Sequence, residues 1–107
     1  FNRVKGYFDD AISKGAKVET GGVFEENDLT IHPTVMTGIS KDSSIMEEEI
    51  FGPILPILTY KNLDEVTEYI NSKDKPLALY IFSGKSKNIN KILKSTTAGG
   101  TCVNDVM

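Results

Sequence analysis

Apolar positions recur at helical spacing at the start of the chain. Phe1, Val4, Phe8, Ala11 and Ile12 follow one another at intervals of three and four, with Tyr7 beside them. That spacing predicts one apolar face of a helix, and Lys14-Gly15 ends it because glycine accepts the left-handed conformation that closes helices. Ala16 to Thr20 then alternates like a short strand and stops at Gly21-Gly22. Glu25 to Asp28 is polar and reads as a loop, and Leu29 to Met36 is β-rich, with Pro33 at a strand start or edge. Further on, Ile54 to Tyr60 predicts a strand. Asn62 is placed to cap a helix with Glu65 reaching back, and Leu63, Val66 and Ile70 form that helix's stripe. Leu77 to Phe82 is almost continuously apolar, the pattern of a strand buried on both faces. A last helix over about 86–96 buries Ile89, Ile92 and Leu93. Gly99-Gly100 stops it before a short strand at Thr101 to Val103.

Strand, helix, strand, helix, strand implies parallel strands joined by right-handed crossovers. The expected class is α/β, with a mostly parallel sheet and βαβαβ connections. Ligands in such sheets gather at the carboxyl ends of the strands. No repeat or low-complexity linker interrupts residues 1–107, so no internal boundary is expected.

Composition changes this picture little. The chain is 39% hydrophobic and 25% charged, which fits a folded globular segment. A net charge of -3 supplies no general attraction for nucleic acid or an anionic membrane. The longest apolar run, Ile54 to Leu58, is broken by Pro56 and falls far short of the roughly 20 residues of a membrane span. The opening residues lack the apolar core of a signal peptide. Cys102 is the only cysteine, so no intrachain disulfide forms, which suits a reducing, cytoplasmic setting.

The most unusual stretch is Met46-Glu47-Glu48-Glu49-Ile50-Phe51-Gly52-Pro53. One reading is a solvated acidic turn before a strand. The other uses geometry: in an extended segment Glu49 and Phe51 point to the same side. A carboxylate can accept two hydrogen bonds from the vicinal diol of a ribose, and the ring offers a flat surface to a planar heterocycle. Gly52 lets the backbone approach a ligand, and Pro53 stiffens the exit.

Cys102 lies between Thr101 and Val103 without a local cationic partner, although Lys94 could approach it, so it reads as a packed strand cysteine rather than a nucleophile. His32, beside Pro33, has no second ligand nearby and reads as a strand-edge residue rather than a metal ligand. Lys85, Lys87, Lys91 and Lys94 give the last helix a basic face, read as solvated surface with a phosphate or membrane role as the alternative. Asn104-Asp105 falls at a strand's carboxyl end and is site-adjacent or structural.

EEEIFGPILPI resembles the EEIFGP motif of the aldehyde dehydrogenase family. GAKVETGG, HPTVMTGI, PLALYIFS and AGGTCVNDVM resemble further segments of that family, in the right order, so the resemblance spans essentially the whole chain. The last two look closer to the class-3 and fatty-aldehyde branch than to the tetrameric branch. The resemblance implies an NAD- or NADP-dependent enzyme that oxidises an aldehyde to a carboxylic acid through a cysteine thioester. It implies that Glu49 hydrogen-bonds the nicotinamide ribose and that Phe51 packs against the nicotinamide end. It also places the nucleophilic cysteine and the general-base glutamate upstream, and the dinucleotide-binding domain outside these residues. Residues 1–107 are then a partial catalytic domain, inactive alone, holding no catalytic residue and no metal. A homo-oligomeric parent is expected. Two other classes stay open: a non-catalytic α/β interaction domain, and a related enzyme that transfers the acyl group to coenzyme A or reduces an acyl phosphate.

Overall fold

A computed structural model describes residues 1–106. Helix α1 (Asn2–Ser13) leads into β1 (Lys17–Thr20), β2 (Phe24–Glu25), β3 (Thr30–Ile31) and β4 (Thr34–Thr37). A single 3-10 turn (Ser44–Met46) precedes β5 (Ile54–Pro56). Then come α2 (Leu63–Asn71), β6 (Ala78–Ile81), α3 (Ser86–Ser95) and β7 (Gly100–Val103). The class is α/β, as the pattern implies. The packing gathers into two compact units, Phe1–Thr59 and the residues from Tyr60 onward, although no linker composition marks the join.

In the first unit β4 is the central strand, antiparallel to β1 and parallel to β5, while β2 and β3 form a separate hairpin. In the second, β6 and β7 pair in parallel across α3, which is one complete βαβ turn. The strand at 54–60 therefore differs from expectation in length and in partner. It covers only Ile54–Pro56 and pairs with β4, so the described pairings do not form one continuous βαβαβ ladder. One more bond follows Pro56, from the Ile57 N–H to the Met36 carbonyl at 2.8 Å, and regular pairing ends there.

The core of the first unit is Val4, Ala11, Met36, Ile39, Ile45 and Ile54, with Tyr7, Phe8, Phe24 and Ile50 packed against it. Ile12 is instead mostly outside this core. Gly15 closes α1 at φ +95°, as its position implies. One carboxylate ties the connection after β4 to α1. Asp10 Oδ2 accepts the backbone N–H of Ser44 at 2.7 Å, and Lys14 Nζ reaches both Asp10 (3.1 Å) and the carbonyl of Asp42 (3.1 Å). The Ser44 N–H, and then Lys14, hold the Asp10 carboxyl below its ordinary value.

In the second unit Asn62 caps α2 by accepting the Glu65 N–H at 3.1 Å. Glu65 reaches back, but to the N–H of Lys61 at 2.7 Å rather than to that of the cap itself. Ile81, Ile92 and Thr67 are buried there. The expectation that 77–82 is covered on both faces does not hold: Leu77 is 88% and Phe82 65% exposed, and Tyr80 is also open. A two-stranded sheet offers too little neighbouring surface to cover both sides of β6.

Candidate functional site

The acidic segment leaves the 3-10 turn at Glu47 and runs without regular structure to β5. It is not the extended strand assumed above, because Phe51 sits in the left-handed region at φ +42°. Simple alternation cannot place Glu49 and Phe51 on one face when the backbone turns at Phe51 itself. A bulky residue there is an outlier, costing about 1–2 kcal/mol. Both side chains are nevertheless presented outward: Glu49 is exposed, and the Phe51 ring is 79% exposed. Among the described residues no donor is paired with the Glu49 carboxylate.

Three features hold this turn. Gly52 lies so close to α1 that a Cβ there would stand 2.9 Å from both methyl carbons of buried Val4. Beyond it, the Pro53 carbonyl accepts the Thr34 N–H at 2.8 Å, which registers the segment against β4. The third feature was not legible in the motif. From the first turn of α1, Arg3 donates to the carbonyl of Glu49 at 3.2 Å (Nη1) and to that of Ile50 at 2.8 Å (Nη2). Its Nη1 also donates to the Tyr7 hydroxyl at 3.1 Å, with the guanidinium 5.3 Å from the Tyr7 ring centroid. Arg3 and Tyr7 at i, i+4 are a visible helix pair. Nothing in the sequence says that their target lies 46 residues away.

The profile of the aldehyde dehydrogenase family matches residues 1–107. The chain belongs to the aldehyde dehydrogenase family. AldX of Bacillus subtilis (strain 168), which carries an assignment as an aldehyde dehydrogenase, is 52% identical over the whole chain, which spans 24% of AldX. The dimeric NADP-preferring aldehyde dehydrogenase of Rattus norvegicus is 41% identical over the whole chain, spanning 22% of that protein. Among solved structures, a substrate-bound Staphylococcus aureus AldH superposes with a TM-score of 0.83 at 36% identity, covering 100% of this chain and 24% of that one. The chain thus spans about a quarter of the aldehyde dehydrogenases it matches.

The other singled-out residues take local roles within this aldehyde dehydrogenase segment. Cys102 is a free, half-buried strand residue opposite Tyr80 in the β6–β7 pair. His32 Nε2 meets Glu25 at 2.6 Å across the β2–β3 hairpin, and no cluster of three metal-ligating side chains occurs among the described residues. Lys85, Lys87, Lys91 and Lys94 are exposed, and Lys91 pairs with Asp64 at 2.6 Å, joining α3 to α2. Asn104, left-handed at φ +53°, braces two loops at the carboxyl ends of the parallel pair. Its amide accepts the Ser83 N–H at 2.9 Å and donates to the Ser83 carbonyl at 3.0 Å. Among the described residues no helix is long and apolar enough to cross a membrane.

Proposed function

We propose that this chain works as one part of a complete NAD- or NADP-dependent aldehyde dehydrogenase that oxidises an aldehyde to a carboxylic acid through a cysteine thioester. Its own share of the work is to set the nicotinamide ribose with Glu49 and to support the nicotinamide end with Phe51. The nucleophile and general base belong to other residues of the complete protein, so residues 1–107 alone do not turn over. The observation that carries this reading is an exposed Glu49 carboxylate, without a donor among the described residues, two positions before an exposed Phe51 ring, in a chain matched by the family from end to end.

The residues fit the group. A carboxylate free of protein donors can accept both hydroxyls of a ribose, and charge roughly doubles the strength of such bonds. An exposed ring gives a flat apolar rest for a planar heterocycle. The cofactor, when bound, supplies the hydride acceptor. Glu49 and Phe51 act by orientation, where a misplacement of about 1 Å can cost on the order of 100-fold in rate. Both contacts fall on the nicotinamide half, common to NAD and NADP, so they do not select between the two. Homo-oligomeric assembly and a cytoplasmic setting belong to the same proposal, the first supported by the rat relative's description as dimeric.

The test is an aldehyde panel given to the complete protein with NAD and with NADP. Aldehyde-dependent reduction of the nicotinamide, with a free carboxylic acid as product and no need for coenzyme A, is expected. The isolated 107 residues should give none. Silence from the complete protein, or turnover by a pure sample of the 107 residues, contradicts the reading.

A further inference from the structure

We infer that Arg3 is a positioning residue for the nicotinamide-ribose site, acting on Glu49 through the backbone; this rests on the function proposed above. A guanidinium is a rigid fork of donors that cannot lose its charge. Here that fork takes two consecutive carbonyls, those of Glu49 and Ile50, at 3.2 and 2.8 Å. Consecutive carbonyls of an extended chain point to opposite sides. Two that converge on one cation require the chain to curl around it, and without the cation their oxygens would repel.

The consequence falls on the two site residues. Fixing the Ile50 carbonyl fixes the plane of the Ile50–Phe51 peptide, from which the Phe51 φ of +42° is measured. Fixing the Glu49 carbonyl fixes the backbone that aims the Glu49 side chain. The fork is itself held from α1, because Tyr7 accepts from Nη1 at 3.1 Å and lies 5.3 Å below the guanidinium carbon. Arg3 therefore hands the rigidity of a helix to a loop that has no ladder of its own. A lysine would supply charge but not the two-point geometry.

The test compares Arg3→Met, Arg3→Lys, Tyr7→Phe and Glu49→Gln in the complete enzyme. Single-turnover nicotinamide absorbance gives the hydride-transfer rate per active site. A C1-deuterated aldehyde gives the isotope effect on kcat, and hydrogen exchange follows the amides of residues 49–52. Arg3→Met and Arg3→Lys should each slow hydride transfer about tenfold or more. The isotope effect should rise, and exchange at residues 49–52 should quicken. Tyr7→Phe should do the same to a smaller degree. A merely structural role would reduce the number of active sites and leave the rate per site and the isotope effect unmoved. That outcome in Arg3→Met, with Glu49→Gln still slow, overturns the positioning role and spares the ribose reading. An unaffected Glu49→Gln enzyme removes the ribose reading, and this inference falls with it. Should Arg3→Met fail to fold, Tyr7→Phe decides by the same criteria.

Discussion

Gly52 shows how much of the site depends on single atoms. Its φ is ordinary, so the constraint is contact alone: an added Cβ would meet both Val4 methyl carbons at 2.9 Å. Val4 is 4% exposed and has nowhere to retreat. Gly52→Ala should cost about 1–3 kcal/mol, the usual range for overpacking. Urea unfolding measures it, and Val4→Ala in the same background should return part of the loss. An unchanged midpoint would show that the helix and the turn are not pressed together. Sequence and structure divide cleanly at this scale. EEEIFGP is legible because acidic, aromatic, glycine and proline residues rarely stand together. Arg3 is not, because one arginine on an amphipathic helix looks like any solvated charge until the chain brings residues 49 and 50 to it. The left-handed Phe51 was equally hidden, since a bulky aromatic is the last residue expected there.

Helix positions and caps follow the sequence closely, because their signals are local, although Leu93, expected inside, is exposed. The 3.6-residue stripe of α1, the Gly15 stop and the Asn62–Glu65 cap all lie within a few residues of their effect. Strand pairing did not, since the partner of Ile54–Pro56 is chosen across sequence distance. The burial of β6 was overread for a related reason: an apolar run states a need for cover without stating what supplies it. Asp10 is an element-scale tie of the same long-range kind, fastening the 3-10 turn to α1. Its pKa is lowered in the folded state, first by the Ser44 N–H and then by Lys14. A lowered carboxyl stabilises above its unfolded pKa, and that contribution is lost as pH falls through the folded value. Thermal melts of wild type and Asp10→Asn should therefore differ most near neutral pH and converge in strong acid. The gap should be modest, because the pair is partly exposed and screened. A constant gap across the titration would remove the charge-based account.

The whole chain carries more exposed apolar surface than its core requires. Ile54 is buried, and Phe1, Phe8 and Leu58 are half-buried. The exposure lies instead at Phe51, Leu55, Leu77, Phe82 and Val106. Among the described residues the β6–β7 pair also has no further strand on either outer edge. Edges and apolar side chains of this kind recruit copies of themselves. The isolated 107 residues should self-associate as concentration rises, seen as a growing mass in light scattering. A constant monomer mass would mean that the open surface is less adhesive than its area suggests.

On the function proposed above, Glu49, and not the acidic run as a whole, orients the nicotinamide ribose. Glu47→Gln, Glu48→Gln and Glu49→Gln preserve size and remove one charge each, so they separate position from acidity. The decisive measurement is the single-turnover rate of nicotinamide reduction by the complete enzyme under saturating cofactor. Glu49→Gln should fall about tenfold, the loss of roughly 1.4 kcal/mol of charge-assisted hydrogen bonding in the transition state. Its unfolding midpoint should stay at the wild-type value, and the other two variants should stay near the wild-type rate. Equal slowing in all three would reduce the segment to a generic acidic patch, and a wild-type rate in Glu49→Gln would contradict the ribose role itself.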